Sequence, residues 1–262
     1  MGKDAQKQGK DTRRRQFLPD SRVFPIHDRV FRWDAEKKDV VCMRRWVAVF
    51  LSLLLICPAR AKAEQYVALT FDDGPSGRFT RALLDGLAER QVKATFLLCG
   101  YRLKDYPEDG ARIFQEGHEI GLHGYSHACM GDMCPQTLRR ELEDTLALLP
   151  AGCEPVFLRP PGGKSSPWVA EVAEDLGLGI LRWSVDPRDW AVDDAAKICQ
   201  TVVRTVRDGD VILLHDMSDS SVEAALAIVD ELSARGFTFL TAKELARHKG
   251  VTIVPGRGYE RF

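Results

Sequence analysis

The sequence predicts an α/β fold: a distorted, partly open parallel β/α barrel of about seven units. Three observations predict it. From Glu64 onward, short apolar runs alternate with amphipathic, helix-like stretches. The apolar runs are near-continuous, as in strands buried on both faces. Most of the chemically distinctive side chains fall at the ends of those runs, where a parallel barrel gathers its active-site residues on one face. A doubly wound open sheet is the runner-up arrangement.

The strands, in order, are YVALTF (66–71), VKATFLL (92–98), HEIGLH (118–123), VFLR (156–159), GILRWSV (179–185), DVILLH (210–215) and FTFL (237–240). Each is short enough for a strand and bounded by polar or turn residues. Helix-like segments separate them, among them Phe79 to Arg90, Pro135 to Leu149, Pro167 to Leu176, Asp193 to Arg207 and Ser218 to Arg235. No second domain, repeat or low-complexity linker interrupts the alternation.

The N-terminal part has a different character. Residues 1–42 are polar with scattered charge, and Met43 is followed by Arg44, Arg45, an apolar run from Trp46 to Cys57, and Ala61-Lys62-Ala63. A positive start, a short apolar core and a small-x-small site are the plan of a secretory signal. The reading is therefore that 1–42 is an over-extended start or disordered, 43–63 is a signal peptide, 64–250 is the main folded domain, and 251–262 is a C-terminal tail. The mature chain would start at Glu64 and be periplasmic, cell-wall-associated or secreted, with no stable membrane insertion after cleavage.

Residues 1–63 carry 15 Lys+Arg against 7 Asp+Glu, which leaves 22 against 31, a net charge of −9, for 64–262. That acidity argues against nucleic acid or an anionic membrane as partner. Five cysteines remain there: Cys99, Cys129, Cys134, Cys153 and Cys199. Cys129 and Cys134 could close a small loop. No C-x-x-C pair is present, so a cysteine metal site is not expected.

The polar residues at the strand ends form a chemical set. Asp72 and Asp73 follow the first strand, His123 ends the third with His127 four residues on, and Arg159 ends the fourth. Asp186 and Asp189 follow the fifth, and His215 and Asp216 end the sixth. Two histidines and a carboxylate are a common ligand set for a divalent first-row metal. One of the two acids would complete it, leaving the other free as a base. HEIGLH is not a zinc-protease motif, because its second histidine comes one residue late and no helix carries it. His118 is therefore expected to be structural.

Five motifs, TFDDGP (70–75), HGYSH (123–127), RPPGG (159–163), DPRDW (186–190) and LLH (213–215), appear in order. Through them the chain resembles the polysaccharide deacetylases of carbohydrate esterase family 4, the NodB-homology domain, over roughly Tyr66 to Ala246. The resemblance implies removal of N-acetyl groups from N-acetylglucosamine-containing glycans such as chitooligosaccharide or peptidoglycan. It implies one divalent ion, zinc or alternatively cobalt or another first-row metal, held by Asp73, His123 and His127. Asp72 would be the base, paired with Arg159. His215 would be the general acid, with Asp186 hydrogen-bonded to the far side of its ring. The Gly162 N–H would serve the oxyanion, and Trp190 and Leu213 would line a pocket for the acetyl methyl. Two positions depart from the family pattern: Gly162, where Tyr is frequent, and Gly124, where Ser or Thr is usual. An O-acetyl esterase acting on xylan or a related glycan is the alternative. A non-catalytic glycan-binding protein is a weaker one, since binding alone needs neither base nor acid.

Overall fold

The computed structural model describes residues 64–262. The segments 1–42 and 43–63 lie outside the described residues. In chain order the elements are β1 (Gln65–Asp72), α1 (Arg78–Glu89), β2 (Thr95–Leu98), α2 (Gly100–Asp105), α3 (Pro107–Gln115), β3 (Glu119–Leu122), α4 (Pro135–Leu146) and β4 (Phe157–Leu158). They continue with α5 (Pro167–Asp175), β5 (Gly179–Leu181), α6 (Ala195–Thr205), β6 (Val211–His215), α7 (Asp219–Ala234), β7 (Phe237–Leu240), α8 (Ala242–His248) and β8 (Gly258–Tyr259).

β1 is the hub of the sheet. The strand order is β6-β1-β2-β3-β4-β5-β8, with β7 also on β1, and every pair is parallel. Ala68 pairs with Val211 of β6 and with Leu240 of β7, so those strands flank β1 on opposite edges. Asp72 at the end of β1 is in register with His215 at the end of β6. The two residues therefore emerge at one height on neighbouring strands.

The sheet curls toward closure. Val185, just past β5, bridges to Ile212 of β6. Below that point β8 lies along β5, and Arg261 bridges to Asp210 ahead of β6. The stretch 251–262, set apart in the sequence as a tail, thus fills the gap between the barrel's first and last walls. The predicted strand 179–185 is shorter than expected, because the carbonyls of Leu181 and Arg182 accept from the Arg159 side chain at 3.1 and 3.0 Å. The chain regains the sheet only at Val185. Two helices, α2 and α3, fill the stretch 100–115, which the sequence pattern did not single out.

Both faces of β1 are buried from Val67 onward, which explains its near-continuous apolar run. Val67, Leu69 and Phe71 pack with Leu83, Leu84 and Leu87 of α1, all at most 1% exposed. Fully burying each such side chain contributes about 1.5–3 kcal/mol. Residues of alternate parity face the barrel interior. Ala68 packs there with Leu97, Phe157, Leu181 and Val211. Thr70 and Asp72 continue that parity upward and meet the fully buried Arg159.

Candidate active site

Arg159 is fully buried, and all of its nitrogens are engaged. Nε and Nη2 donate to the carbonyls of Leu181 and Arg182, and Nη1 donates to Thr70 Oγ1 at 2.9 Å and to Asp72 Oδ1 at 2.6 Å. A buried guanidinium needs such satisfaction, and its four bonds leave it one orientation. Asp72 is itself 3% exposed. One of its oxygens is fixed by Arg159, and the other lies 3.8 Å from His123 Nε2.

The adjacent acids do not point apart as strand neighbours would. Asp73 has φ +73°, in the left-handed region where Asp is tolerated. That rotation turns its carboxylate back toward the same mouth as Asp72. Asp73 Oδ1 lies 3.3 Å from His123 Nε2 and 3.0 Å from His127 Nε2. His127, also left-handed at φ +62°, brings its ring to within 5.2 Å of the His123 ring, centroid to centroid.

These three residues fit a divalent cation. His123 Nδ1 lies 2.7 Å from the Arg159 carbonyl, which can only accept, so Nδ1 carries the hydrogen. Nε2 then presents a lone pair toward Asp73 Oδ1. That oxygen is buried and makes no hydrogen bond of its own. Two acceptors face each other at hydrogen-bond distance, which a shared cation resolves. The three ligand atoms lie within 4.8 Å of one another. A carbonyl on the far nitrogen is also how metal-bound imidazoles are usually oriented.

The general acid expected from the sequence has a different partner. Asp186 does not touch the His215 ring. It is exposed, and its Oδ1 accepts the Arg188 N–H at 2.8 Å in a local turn. Asp189, 3% exposed, takes its place: Oδ1 accepts from His215 Nδ1 and Oδ2 from the His215 backbone N–H, both at 2.8 Å. An Asp before a Pro favours turn initiation, and DPRDW offers the second acid after that turn is complete. Burial works against a charged His215. Asp189, by hydrogen bond and charge, outweighs it with help from Asp72 and Asp73, and the imidazole is pushed up to about 9.

A cavity of about 410 Å³ joins these groups, lined by Asp72, Asp73, His123, His127, Gly162, Trp183, Asp186, Trp190, Leu213 and His215. Of the ten residues given a role by the family resemblance, nine line this cavity, and Arg159 lies beneath it. Gly162 adopts φ +62° and a side chain there would meet open space. Trp190 is 61% exposed and Leu213 4% exposed. Trp183 was not anticipated, because it lay inside a predicted strand; it leaves the sheet and faces the cavity. A second cavity, of about 490 Å³, shares Asp73, Trp190 and His215 with the first and runs on past Asp193, Met217 and Ser220. His118 is buried away from the site, its Nδ1 accepting the Ala94 N–H at 3.1 Å. All five cysteines of the described residues are free thiols, including Cys129 and Cys134.

The chain matches known proteins along most of the described length. The family model described as polysaccharide deacetylase matches residues 59–181. A peptidoglycan-N-acetylglucosamine deacetylase of Bacillus cereus is 36% identical over 192 residues, covering 71% of this chain and 90% of that protein. A chitooligosaccharide deacetylase of Rhizobium leguminosarum bv. trifolii is 32% identical over 192 residues, covering 67% and 89%. The solved structure of a family 4 acetyl xylan esterase from Clostridium thermocellum, in complex with a cobalt ion, superposes with a TM-score of 0.71 at 36% identity, covering 75% of this chain and 98% of that one. With two relatives above 30% identity matched over about nine-tenths of their own length, and a shared fold, the chain belongs to the polysaccharide deacetylase family.

Proposed function

We propose that this protein is a zinc-dependent hydrolase that removes acetyl groups from N-acetylglucosamine units of a glycan, releasing acetate and leaving the free amine. The observation that carries the reading is the convergence on one cavity of Asp73, His123 and His127, an Arg159-paired Asp72 and an Asp189-held His215. A divalent cation on the triad would supply Lewis acidity, polarising the amide carbonyl and making bound water easier to deprotonate.

The chain's own groups divide the remaining work. Asp72 keeps one oxygen on Arg159 and offers the other toward the triad, where it takes the proton of the attacking water. His215 donates to the amide nitrogen as the C–N bond breaks. Its donor is Nε2, because Nδ1 is committed to Asp189. A raised pKa keeps that proton in place at neutral pH, which suits an amine leaving group. Leu213, Trp183 and Trp190 wall the cavity with apolar surface for the acetyl methyl. Gly162 lines the same cavity, and its backbone N–H would serve as the oxyanion donor.

Ester cleavage is the second reading, motivated by the acetyl xylan esterase relative. Acetate release from N-acetylglucosamine oligomers, peptidoglycan and acetylated xylan separates the two. The assay is run on metal-stripped protein and again after adding zinc or cobalt. Release only from acetylated xylan would remove the N-deacetylase reading, and equal release without metal would remove the metal.

The N-terminal pattern supports export to the periplasm, cell wall or medium. Among the described residues no helix is long and apolar enough to cross a membrane. The substrate would be met outside the cytoplasm. N-terminal analysis of the exported protein should begin at Glu64; an intact residue 1 on the mature protein would overturn the signal peptide.

A further inference from the structure

His123 and His127 are joined by three residues, Gly124, Tyr125 and Ser126, which belong to no helix or strand. A metal site needs its ligands held before the metal arrives. The carbonyls of Gly124 and Tyr125 accept from the amides of Gly100 and Tyr101, at 2.9 and 3.0 Å, at the start of α2. The amides face the other way. Those of Tyr125 and Ser126 both donate to Oε2 of Glu141 at 2.8 Å, and the Ser126 hydroxyl donates to Oε1 at 2.8 Å. Glu141 stands in the middle of α4, fifteen residues past Ser126, and α4 packs on β3.

Three bonds from one carboxylate to two consecutive residues define the direction of the chain entering His127. They are all of good hydrogen-bond length. Gly124 completes the fit. It adopts φ +83°, and a side chain there would come within 3.4 Å of Glu141 Oε2 and 2.7 Å of Met130 Cε. The departure from the family's usual Ser or Thr at this position thus coincides with a carboxylate packed against the bare glycine. Glu141 forms no ion pair with a cation among the described residues, and the hydrogen bonds its carboxylate accepts here all come from this loop.

We propose that Glu141 is a positioning residue for the metal centre, acting through the loop that carries His127, and that metal affinity depends on its hydrogen bonds rather than on its charge. The inference rests on the metal reading of Asp73, His123 and His127. Removing partners that orient metal ligands typically costs 10–100-fold in affinity.

The test is zinc affinity of the full chain, measured by competition with a chromophoric chelator, together with the melting temperature of the metal-stripped form. Glu141→Ala should bind zinc about 10- to 100-fold more weakly, with the metal-stripped melting temperature within a few degrees of wild type. Glu141→Gln keeps an acceptor for both amides and loses the charge, so it should stay within about 3-fold of wild type. If the alanine variant does not fold, Glu141→Asp withdraws the carboxylate by one methylene while keeping its charge, and it should show the loss. Wild-type affinity in the alanine or aspartate variant would overturn the proposal. So would a glutamine variant as weak as alanine, which would make charge the agent. A wild-type protein that takes up neither zinc nor cobalt would remove the metal centre itself, a failure distinct from wild-type binding with an indifferent Glu141.

Discussion

His215 Nδ1 donates to Asp189 Oδ1 at 2.8 Å, and the second oxygen of that carboxylate holds the His215 backbone amide at 2.8 Å. One buried acid therefore sets both the ring's tautomer and the position of the residue that carries it. Asp189 rides on a single 3₁₀ turn, Asp189–Ala191, so the arrangement depends on the DPRDW loop closing correctly over β6.

The first prediction concerns pH. The His215 pKa is raised from 6.5 to about 9, so the proton-donating form persists as pH rises and is lost on passing the raised value. A bound cation offsets the share due to Asp73, which places the alkaline limb of the activity profile between 6.5 and about 9. Asp189→Asn should lower activity by roughly 10²–10⁴ and move that limb toward 6.5. Asp186→Asn should leave the limb in place, since Asp186 bonds only the Arg188 amide of its own turn. A shifted limb in the Asp186 variant and none in the Asp189 variant would reverse the assignment.

The exchange of Asp186 for Asp189 shows where the sequence was legible. Seven parallel strands could be read from apolar runs of the right length, because burial on both faces of most of them leaves few polar residues inside. The site could be read too, since parallel strands deliver their ends to one face. What lay within a loop could not. Asp186 and Asp189 are three residues apart after the same strand, and only the backbone turn at Arg188, φ +58°, decides which one faces His215. Glu141 was invisible for a related reason. On a helix it reads as a solvated charge, and only the packing of α4 against the histidine loop gives it a partner. Trp183 was hidden by the early end of β5, which Arg159 brings about by taking carbonyls that would otherwise pair.

Arg159 carries the second prediction. Its removal strands Asp72 at 3% exposure without a cation. Breaking a buried pair from one side costs about 3–5 kcal/mol. Arg159→Ala should show that loss in urea unfolding, together with near-complete loss of acetate release. Arg159→Lys keeps the charge but cannot reach Asp72, Thr70 and two carbonyls from one planar group. It should recover part of the stability and little of the activity. Full activity in the lysine variant would mean that charge alone suffices.

A third prediction tests the turn that presents Asp73. Gly74 has no room for a side chain: a Cβ would lie 2.6 Å from Asp216 Oδ1 and 2.9 Å from Oδ2. Asp216 cannot retreat, being fully buried and hydrogen-bonded by Thr80. Gly74→Ala should therefore displace the turn, at a cost of about 1–3 kcal/mol, and weaken zinc binding alongside. Unchanged zinc affinity would show that the turn and the ligand move independently.

The last prediction uses Asp216 itself. Burial, the largest influence, raises its carboxyl from 3.8 to about 6; Thr80 opposes the rise and the charge of Asp73 adds to it. One of its oxygens, Oδ1, has no hydrogen-bond partner. The folded protein then holds this proton more tightly than the unfolded chain does. Its contribution to stability is full below 3.8 and is lost as pH rises through about 6, after which the penalty is constant. Asp216→Asn removes the ionisation and keeps the shape. Relative to wild type it should be near neutral at pH 4 and increasingly more stable toward pH 7, by on the order of 2–3 kcal/mol in metal-stripped protein. Zinc should shrink the gain, because it offsets the charge on Asp73 that helps to raise the pKa. The imidazole of His118, pushed down to about 4 chiefly by burial, acts in the opposite sense, losing stability as pH falls from 6.5. It is the same in both proteins and cancels from their difference. Urea unfolding of the pair at pH 4 to 8 reads the effect directly; a difference that does not change with pH would mean that Asp216 ionises in the folded protein as it does in the unfolded chain.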